Sequence, residues 1–437
     1  MKTLMENVIT ELLSKRVEGD LIFSTNKSLK MSSQKEMISD YKVSSSQILG
    51  LRVIKDGKVG ISYTEAMDEE SLKLMVLQAL NNAENSHPNP HEEIIDIKGE
   101  LLDHEKYIED EVDIKIKTQK SIELESKVKS LDSRVIAVPY NSFSENESSL
   151  MYLSSKGRFT SFSDKIYSIT SSALMEDKGR KSNYYDYHLA HRFCDLNFEK
   201  VINNSLFHAR HLLSESPLKT GKYSVVFSED CLKGIFECFS NMFSAKSAMD
   251  KVNPWLDKLG ESVISKEISI QDVPDYPNAF RKSLFDSEGV QQKSLDLICD
   301  GVLNSFYHNS VTAKFFNKKT TGHAIRGPIS SIGISGTHIV ISGNKLESLP
   351  DNYFEVIKMD GLFSGANRVT GNFSVAVKGY LWNKGERVQV VGNCTLSGNF
   401  MEMFKNVSVN SLSIKSSTDL TFFSVPLSFQ DLSIAGL

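Results

Sequence analysis

The chain has 437 residues, of which 40% are hydrophobic and 24% charged. Those values exclude a mainly disordered chain, a collagen-like one and a disulfide-dense miniprotein, and the length suggests about three domains. Fifty basic against 55 acidic side chains leave a net charge of −5, and from Lys222 onward the two signs balance at 21 each, so neither part has the basic surplus that duplex binding demands.

The opening MKTLMENVITELLSKR puts Met5, Val8, Ile9, Leu12 and Leu13 on one helical face. Glu6 and Glu11 interrupt any apolar core, so a secretory signal is not expected. Residues 21–63 read as strands, with a hairpin in LGLRVIKDGKVGISY turning at Asp56-Gly57. Asp68 is an N-cap for a helix carrying Leu72, Met75, Val76, Ala79, Leu80 and Ala83. NSHPNPHEE (85–93) then breaks the helix as a linker. Further on, the pattern predicts a helix over Val112–Leu131, strands at Val135–Val138, Ser148–Leu153 and Phe159–Leu174, and a helix over Val201–Leu213. After the turn at Lys219–Lys222 come a strand, KYSVVF, and a helix over Glu229–Ala245. Short alternating segments follow, among them Val263–Ile270, His338–Ser342, Phe373–Trp382 and Val388–Val391. The uncharged run Gly327–Asn344 is rich in Gly and Ser, which is loop-and-strand composition and not a membrane span. The expected architecture is α+β: an N-terminal mixed helix and sheet region, then a large β-rich C-terminal domain. The units are placed at 1–86, 105–215 and 222–437.

Few residues offer chemistry. Cys194, Cys231, Cys238, Cys299 and Cys394 are scattered without a C-x-x-C pair, as expected of free thiols in a reducing cytosol. Cys231 and Cys238 share a face with Leu232, Ile235 and Phe236, which reads as core. His91-Glu92 imitates the start of H-E-x-x-H, but position 95 is Ile. His208, His211 and Glu215 share a helical face and are the better candidate for a metal, weighed against a polar helix end. His188 and His191, in YYDYHLAH, read as part of a surface strand or helix edge. Two turn-rich segments, Phe285–Val290 and Lys319–His323, suit tight corners or a peptide and partner cleft built from Asp286, Glu288, Gly289, Thr321, Gly322 and His323. No G-x-S-x-G, P-loop or G-x-G-x-x-G occurs.

The ordered series KYSVVF, WLDKLGE (255–261), FDSEGV (285–290), DGVLNSFYHNSVTAKFFNKKTTGH (300–323), VTGNFSVAVKGYLWNKGE (369–386), GNFMEMFKNV (398–407) and DLSIAG (431–436) resembles the TldD/PmbA family, long called modulator of DNA gyrase. The likeness covers Lys222–Leu437 with small gaps and is collinear but weaker over 1–215. In that family, TldD-type chains carry H-E-x-x-x-H on a helix and a cysteine ligand near the C-terminus, and PmbA/TldE-type chains lack them. The resemblance puts Cys238, Phe239 and Phe243 at or within a residue of the His, Glu and His positions, and no cysteine follows Cys394. It therefore implies a chain with no catalytic or metal residue of its own and inactive alone. Such a chain is the partner of a TldD-type paralogue that holds the zinc in a cytoplasmic heterodimeric peptidase. The implied substrate is an extended, unfolded or modified precursor peptide, and alone the chain is expected to form a homodimer. Neither nucleic acid nor membrane is an expected partner. Two alternatives stand beside this: an independently active metallopeptidase or hydrolase using His208, His211 and Glu215, and a gyrase- or DNA-associated regulator.

Overall fold

A computed structural model of the chain describes residues 1–97 and 110–437. The boundary expected near residue 105 lies outside the described residues. The N-terminal part is built from α1 (Lys2–Ser14), β1 (Glu18–Gln34), β2 (Met37–Lys55), β3 (Lys58–Thr64), α2 (Glu69–Glu84), α3 (Ile114–Leu131), β4 (Val135–Ala137), β5 (Ser142–Ser154), β6 (Phe159–Asp177), β7 (Arg180–Ala190) and α4 (Phe198–Leu212). Its strands form one seven-stranded sheet in the order β3-β2-β1-β5-β6-β4, with β7 paired to β6. The segments expected as a first and a second unit thus share a sheet, joined where β1 pairs antiparallel with β5.

Strand alternation explains the layering. Leu21, Phe23, Leu51 and Val53 point to one face and bury against Met5, Val8 and Leu12 of α1 and Met75, Val76 and Ala79 of α2. Asp68 caps α2 by accepting from the Ser71 amide at 2.9 Å. Asp56 and Gly57 take φ of 53° and 72°, the two left-handed residues of a type I′ turn. Lys35 and Glu36 do the same, at 55° and 59°, and close a second and longer hairpin that Gly/Asn/Asp spotting passes over.

The C-terminal part runs β8 (Gly221–Phe227), α5 (Glu229–Cys238), α6 (Ala245–Met249), β9 (Ile268–Asp272), β10 (Leu295–Cys299), β11 (Val302–Leu303), α7 (Ser310–Phe315), β12 (Ala324–Ile325), β13 (Gly333–Ile334), β14 (Ile339–Gly343), β15 (Asn352–Asp360), β16 (Asn372–Asn383), β17 (Glu386–Asn399), α8 (Phe400–Lys405), β18 (Val407–Val409), β19 (Lys415–Ser416), β20 (Phe422–Ser424) and β21 (Leu427–Ala435). Two six-stranded sheets, β11-β10-β9-β14-β20-β19 and β17-β16-β15-β8-β21-β18, contribute to one continuous core that also takes in α5 and α8. The fold is α+β. Among the described residues, no helix is long and apolar enough to cross a membrane.

Two elements differ from the sequence reading. The helix expected through Ala245 ends at Cys238, and Ser240–Phe243 is a 3-10 turn. Asn253 Nδ2 stabilises that break by donating to the carbonyls of Asn241, Met242 and Ser244 at 3.3, 3.0 and 3.3 Å. The strand expected at Val263–Ile270 is reduced to Ile268–Asp272. The stretch containing His188 is an edge strand, β7, eleven residues long, the first of the two readings its sequence allowed.

Candidate functional site

Cys238, Phe239 and Phe243, where the resemblance would put a zinc site, stand at the end of helix α5 and in the 3-10 turn that follows that helix. Ser228 caps α5 through the Cys231 amide, and Cys231, Leu232, Ile235, Phe236 and Cys238 are buried. Cys238 is 1% exposed, Phe239 0% and Phe243 2%. Phe239 packs on Phe400 at 5.0 Å between ring centroids and on Phe373 at 6.2 Å, and Phe243 meets Trp255 edge-on at 5.5 Å. Burial raises the Cys238 thiol above its ordinary value, although Arg368 opposes it. A zinc ion needs imidazole, thiolate or carboxylate ligands around an accessible centre, and this aromatic core does not fit one. Among the described residues, no group of three or more His, Cys, Asp and Glu side chains converges into a metal site. All five cysteines are free, with Cys194 and Cys299 exposed and the other three buried.

The His208 cluster is brought together only in part. His208 Nδ1 lies 2.8 Å from Tyr380 Oη, and its ring packs at a tilt on Tyr184 at 4.4 Å. Burial, and after it His211 and Arg387, push His208 down to about 4. His211 turns back to the Phe207 carbonyl at 2.7 Å. Glu215, beyond the end of α4, receives Lys378 Nζ on both oxygens at 2.8 and 2.7 Å. Each member has its own partner, and together these contacts tie α4 to β16. His91 stands against the Phe315 ring at 5.1 Å, in a non-helical segment.

The residues expected in a cleft lie inside the molecule. Asp286 is 5% exposed, Glu288 2% and His323 0%, with Gly322 also buried. They line a junction between the N-terminal sheet and the C-terminal part. On the sheet face opposite the helices, Asp20 of β1 sits directly across from Arg52 of β2. Arg52 Nε donates to Asp20 Oδ2 at 3.1 Å, and its Nη2 reaches Glu288 Oε1 at 3.6 Å. Arg326 Nη2 donates to the other Asp20 oxygen. Glu288 accepts from the Ser310 amide at 2.9 Å and from the Ser310 hydroxyl. Asp286 accepts from the amides of Glu288, Val290 and Ala324 at 2.9, 3.0 and 3.0 Å, which shapes the turn that delivers Glu288. Burial, and then the Glu288 carboxylate, raise the Asp286 carboxyl above its usual range. Beside this network, Gly50 of β2 approaches Pro328 so closely that a Cβ would sit 1.8 Å from the Pro328 carbonyl oxygen. His323 belongs to a neighbouring buried set, with Nε2 3.3 Å from Asp272 Oδ1 and Nδ1 3.0 Å from Thr321 Oγ1. Asp20, Arg52 and Arg326 escaped sequence reading because nothing local distinguishes a charged side chain facing solvent from one facing a second domain.

A second tie is pH-dependent. His191, just after β7, stacks on Phe280 at 4.3 Å, lies 2.7 Å from the Phe280 carbonyl and 3.1 Å from that of Lys165, and pairs with Asp164 at 3.3 Å. Arg281 also faces Asp164, at 3.5 Å. The Asp164 contact outweighs burial and raises His191 to about 9. A folded value above the ordinary 6.5 means the stabilisation is complete below about 6.5 and is lost as pH rises through about 9. Protection factors, which remove the intrinsic base-catalysed rise of amide exchange with pH, are therefore expected to fall in the Phe280–Arg281 segment between about pH 6.5 and 9.5 in the native chain and to stay level in His191→Gln. Equal profiles would refute the assignment.

Three family models match the chain: PmbA/TldA metallopeptidase domain 1 over residues 19–83, the central domain over 107–213 and the C-terminal domain over 220–436. Metalloprotease PmbA of Escherichia coli O157:H7 is 24% identical, covering 100% of this chain and 96% of the relative. A metalloprotease of Archaeoglobus fulgidus is 26% identical over 88% of this chain and 89% of the relative. Among solved structures, a candidate modulator of a DNA gyrase from Thermotoga maritima superposes with a TM-score of 0.87 at 23% identity, covering 99% of this chain and 100% of that one. TldE from Thermococcus kodakarensis gives 0.80 at 20% identity with the same coverage.

Proposed function

The chain belongs to the PmbA/TldD metallopeptidase family, and from that premise we propose that it is the noncatalytic, PmbA/TldE-type subunit of a two-chain zinc peptidase. In this reading a TldD-type paralogue holds the zinc in the cytoplasm, and the substrates are unfolded or modified precursor peptides. The observation that carries the reading is the aromatic core at Cys238, Phe239 and Phe243, where a ligand set and a general base would have to stand. The residues of the rival site, His208, His211 and Glu215, each have other partners. The balanced charge gives no support to a DNA-binding regulator. The remaining role is to complete a peptide path for the partner, for which sheet edges that accept an extended chain through its backbone are suited.

The test is a pull-down from native cells with metal analysis of the purified chain. A co-purifying paralogue with H-E-x-x-x-H, and no tightly bound zinc in this chain alone, are expected. Roughly one zinc per isolated chain, lost in His208→Ala/His211→Ala, would overturn the reading.

A further inference from the structure

A groove of about 1060 Å³ runs between the N-terminal sheet and the C-terminal part, away from the buried ionic junction. Its floor is a row of side chains across four strands, Ser32, Ser142, Thr170 and Tyr187, which the pairings of β1 with β5, β5 with β6 and β6 with β7 bring onto one face. Its wall is α5, through Lys233, Gly234 and Glu237, together with the end of β15.

Three features say what would fit. The first is composition. Tyrosines, serines and asparagines dominate the floor and mouth, and Tyr140 and Tyr185 stand edge to face at 6.1 Å with 56% and 49% exposure. Tyrosine supplies rigid amphipathic area and Ser and Asn supply adaptable hydrogen bonding, a mixture suited to polypeptide recognition.

The second is a set of unused acceptors. Asn141 is 4% exposed and its Nδ2 donates to Ser33, yet its buried Oδ1 has no partner. Asn183 Oδ1 is also buried without one. Both residues line the groove and both call for an N–H donor.

The third is a strand edge. β15 pairs with β16 as far as Asp360, but its pairing with β8 stops at Val356. On that side, among the described residues, no strand pairs with Ile357–Asp360, and all four line the groove.

Several of the charges that line the groove are already paired within the chain: Lys233 with Asp419, Asp230 with the Thr418 amide and hydroxyl, Asp186 with Asn204. Lys30, Lys233 and Lys358 stand in the lining against Asp186, Asp230, Glu237 and Asp360, so there is no cationic surplus to hold a phosphate or other anion, and the buried unpartnered atoms are amide oxygens.

We propose that this groove binds a short, extended, uncharged stretch of unfolded polypeptide through its backbone, with little regard to sequence. This deepens the reading above by giving the peptide a place on this chain, and rests on that reading for the class of ligand.

The test uses the full chain alone, without partner or zinc. The probe is a fluorophore-labelled, acetylated and amidated octapeptide of alternating serine and leucine, followed by anisotropy. Saturable binding is expected. Tyr140→Ala/Tyr185→Ala, at two half-exposed positions, should weaken it about tenfold or more. The same octapeptide N-methylated at alternate residues, a control independent of any variant's folding, should not bind at the same concentrations. Absence of saturable binding up to ~1 mM, equal binding of the two peptides, or an unchanged affinity in the double variant would overturn the proposal. A chain that recruits the paralogue but not the octapeptide would overturn the groove alone. One that binds the octapeptide but recruits no paralogue would overturn the heterodimer alone.

Discussion

Arg52→Met is expected to lower the unfolding free energy by about 3–5 kcal/mol, as removal of one member of a buried ion network does. Methionine keeps most of the aliphatic volume, so the loss isolates the charge. Arg52 is 1% exposed and touches Asp20, Glu288 and, at 3.8 Å, Glu92. Without it, three carboxylates face one another with only Arg326 to answer Asp20. Urea unfolding should show a lower midpoint at neutral pH, with a smaller loss in acid, where a protonated carboxyl needs no cationic partner. Because the network bridges the two halves of the molecule, limited proteolysis at their junction should accelerate in parallel. A loss under about 1 kcal/mol, the range of an exposed pair, would mean that water reaches the junction. Gly50→Val gives an independent check on the same interface, since its side chain would collide with Pro328 without altering any charge.

These residues also mark where sequence reading stops. The hairpin at Asp56-Gly57 and the helix capped by Asp68 were legible because turn chemistry and capping act within a few residues. Alternation likewise assigned Leu51 and Val53 to the core. The same alternation sends Arg52 to the other face, where it would be solvated if the sheet stood alone. It is buried because the FDSEGV turn, more than 230 residues later, closes over it, and no local pattern encodes that contact. The FDSEGV and KKTTGH segments suggest a cleft when read alone. Their acidic and polar side chains organise backbone amides and ion pairs in the interior, where part of what makes them conspicuous is used. The groove went unread for the complementary reason: YYDYHLAH is an ordinary edge strand until Asn183 and Tyr185 are seen opposite α5 and β15.

Placing the missing ligands into this chain should unmake it and should not create a zinc enzyme. Cys238→His/Phe239→Glu/Phe243→His is expected to lose cooperative unfolding and to bind no stoichiometric zinc. Large-to-small changes at buried phenylalanines already cost about 3–5 kcal/mol each. Glu at 239 adds the burden of a carboxylate among Phe373, Phe400 and their neighbours, with no cation in place to pair with it. The phenylalanine losses alone come to about 6–10 kcal/mol, comparable with the whole stability of a typical domain, roughly 5–15 kcal/mol. Phe239→Leu, which keeps the site apolar, is the control and should remain folded with a much smaller loss. Circular dichroism, unfolding curves and metal analysis decide the matter together. A triple variant that folds cooperatively and takes up about one zinc would mean that the core is a degenerate metal centre only three substitutions from function. Failure to fold would mean that the packing around α5 has no room for a ligand set: Phe236, Phe239, Phe243, Phe400 and Phe404 support one another, and the helix breaks at Phe239, inside the span that an H-E-x-x-x-H helix would need to keep regular. That second outcome is expected, because a buried aromatic cluster held by edge-to-face and tilted contacts tolerates few imidazoles and no unpaired carboxylate.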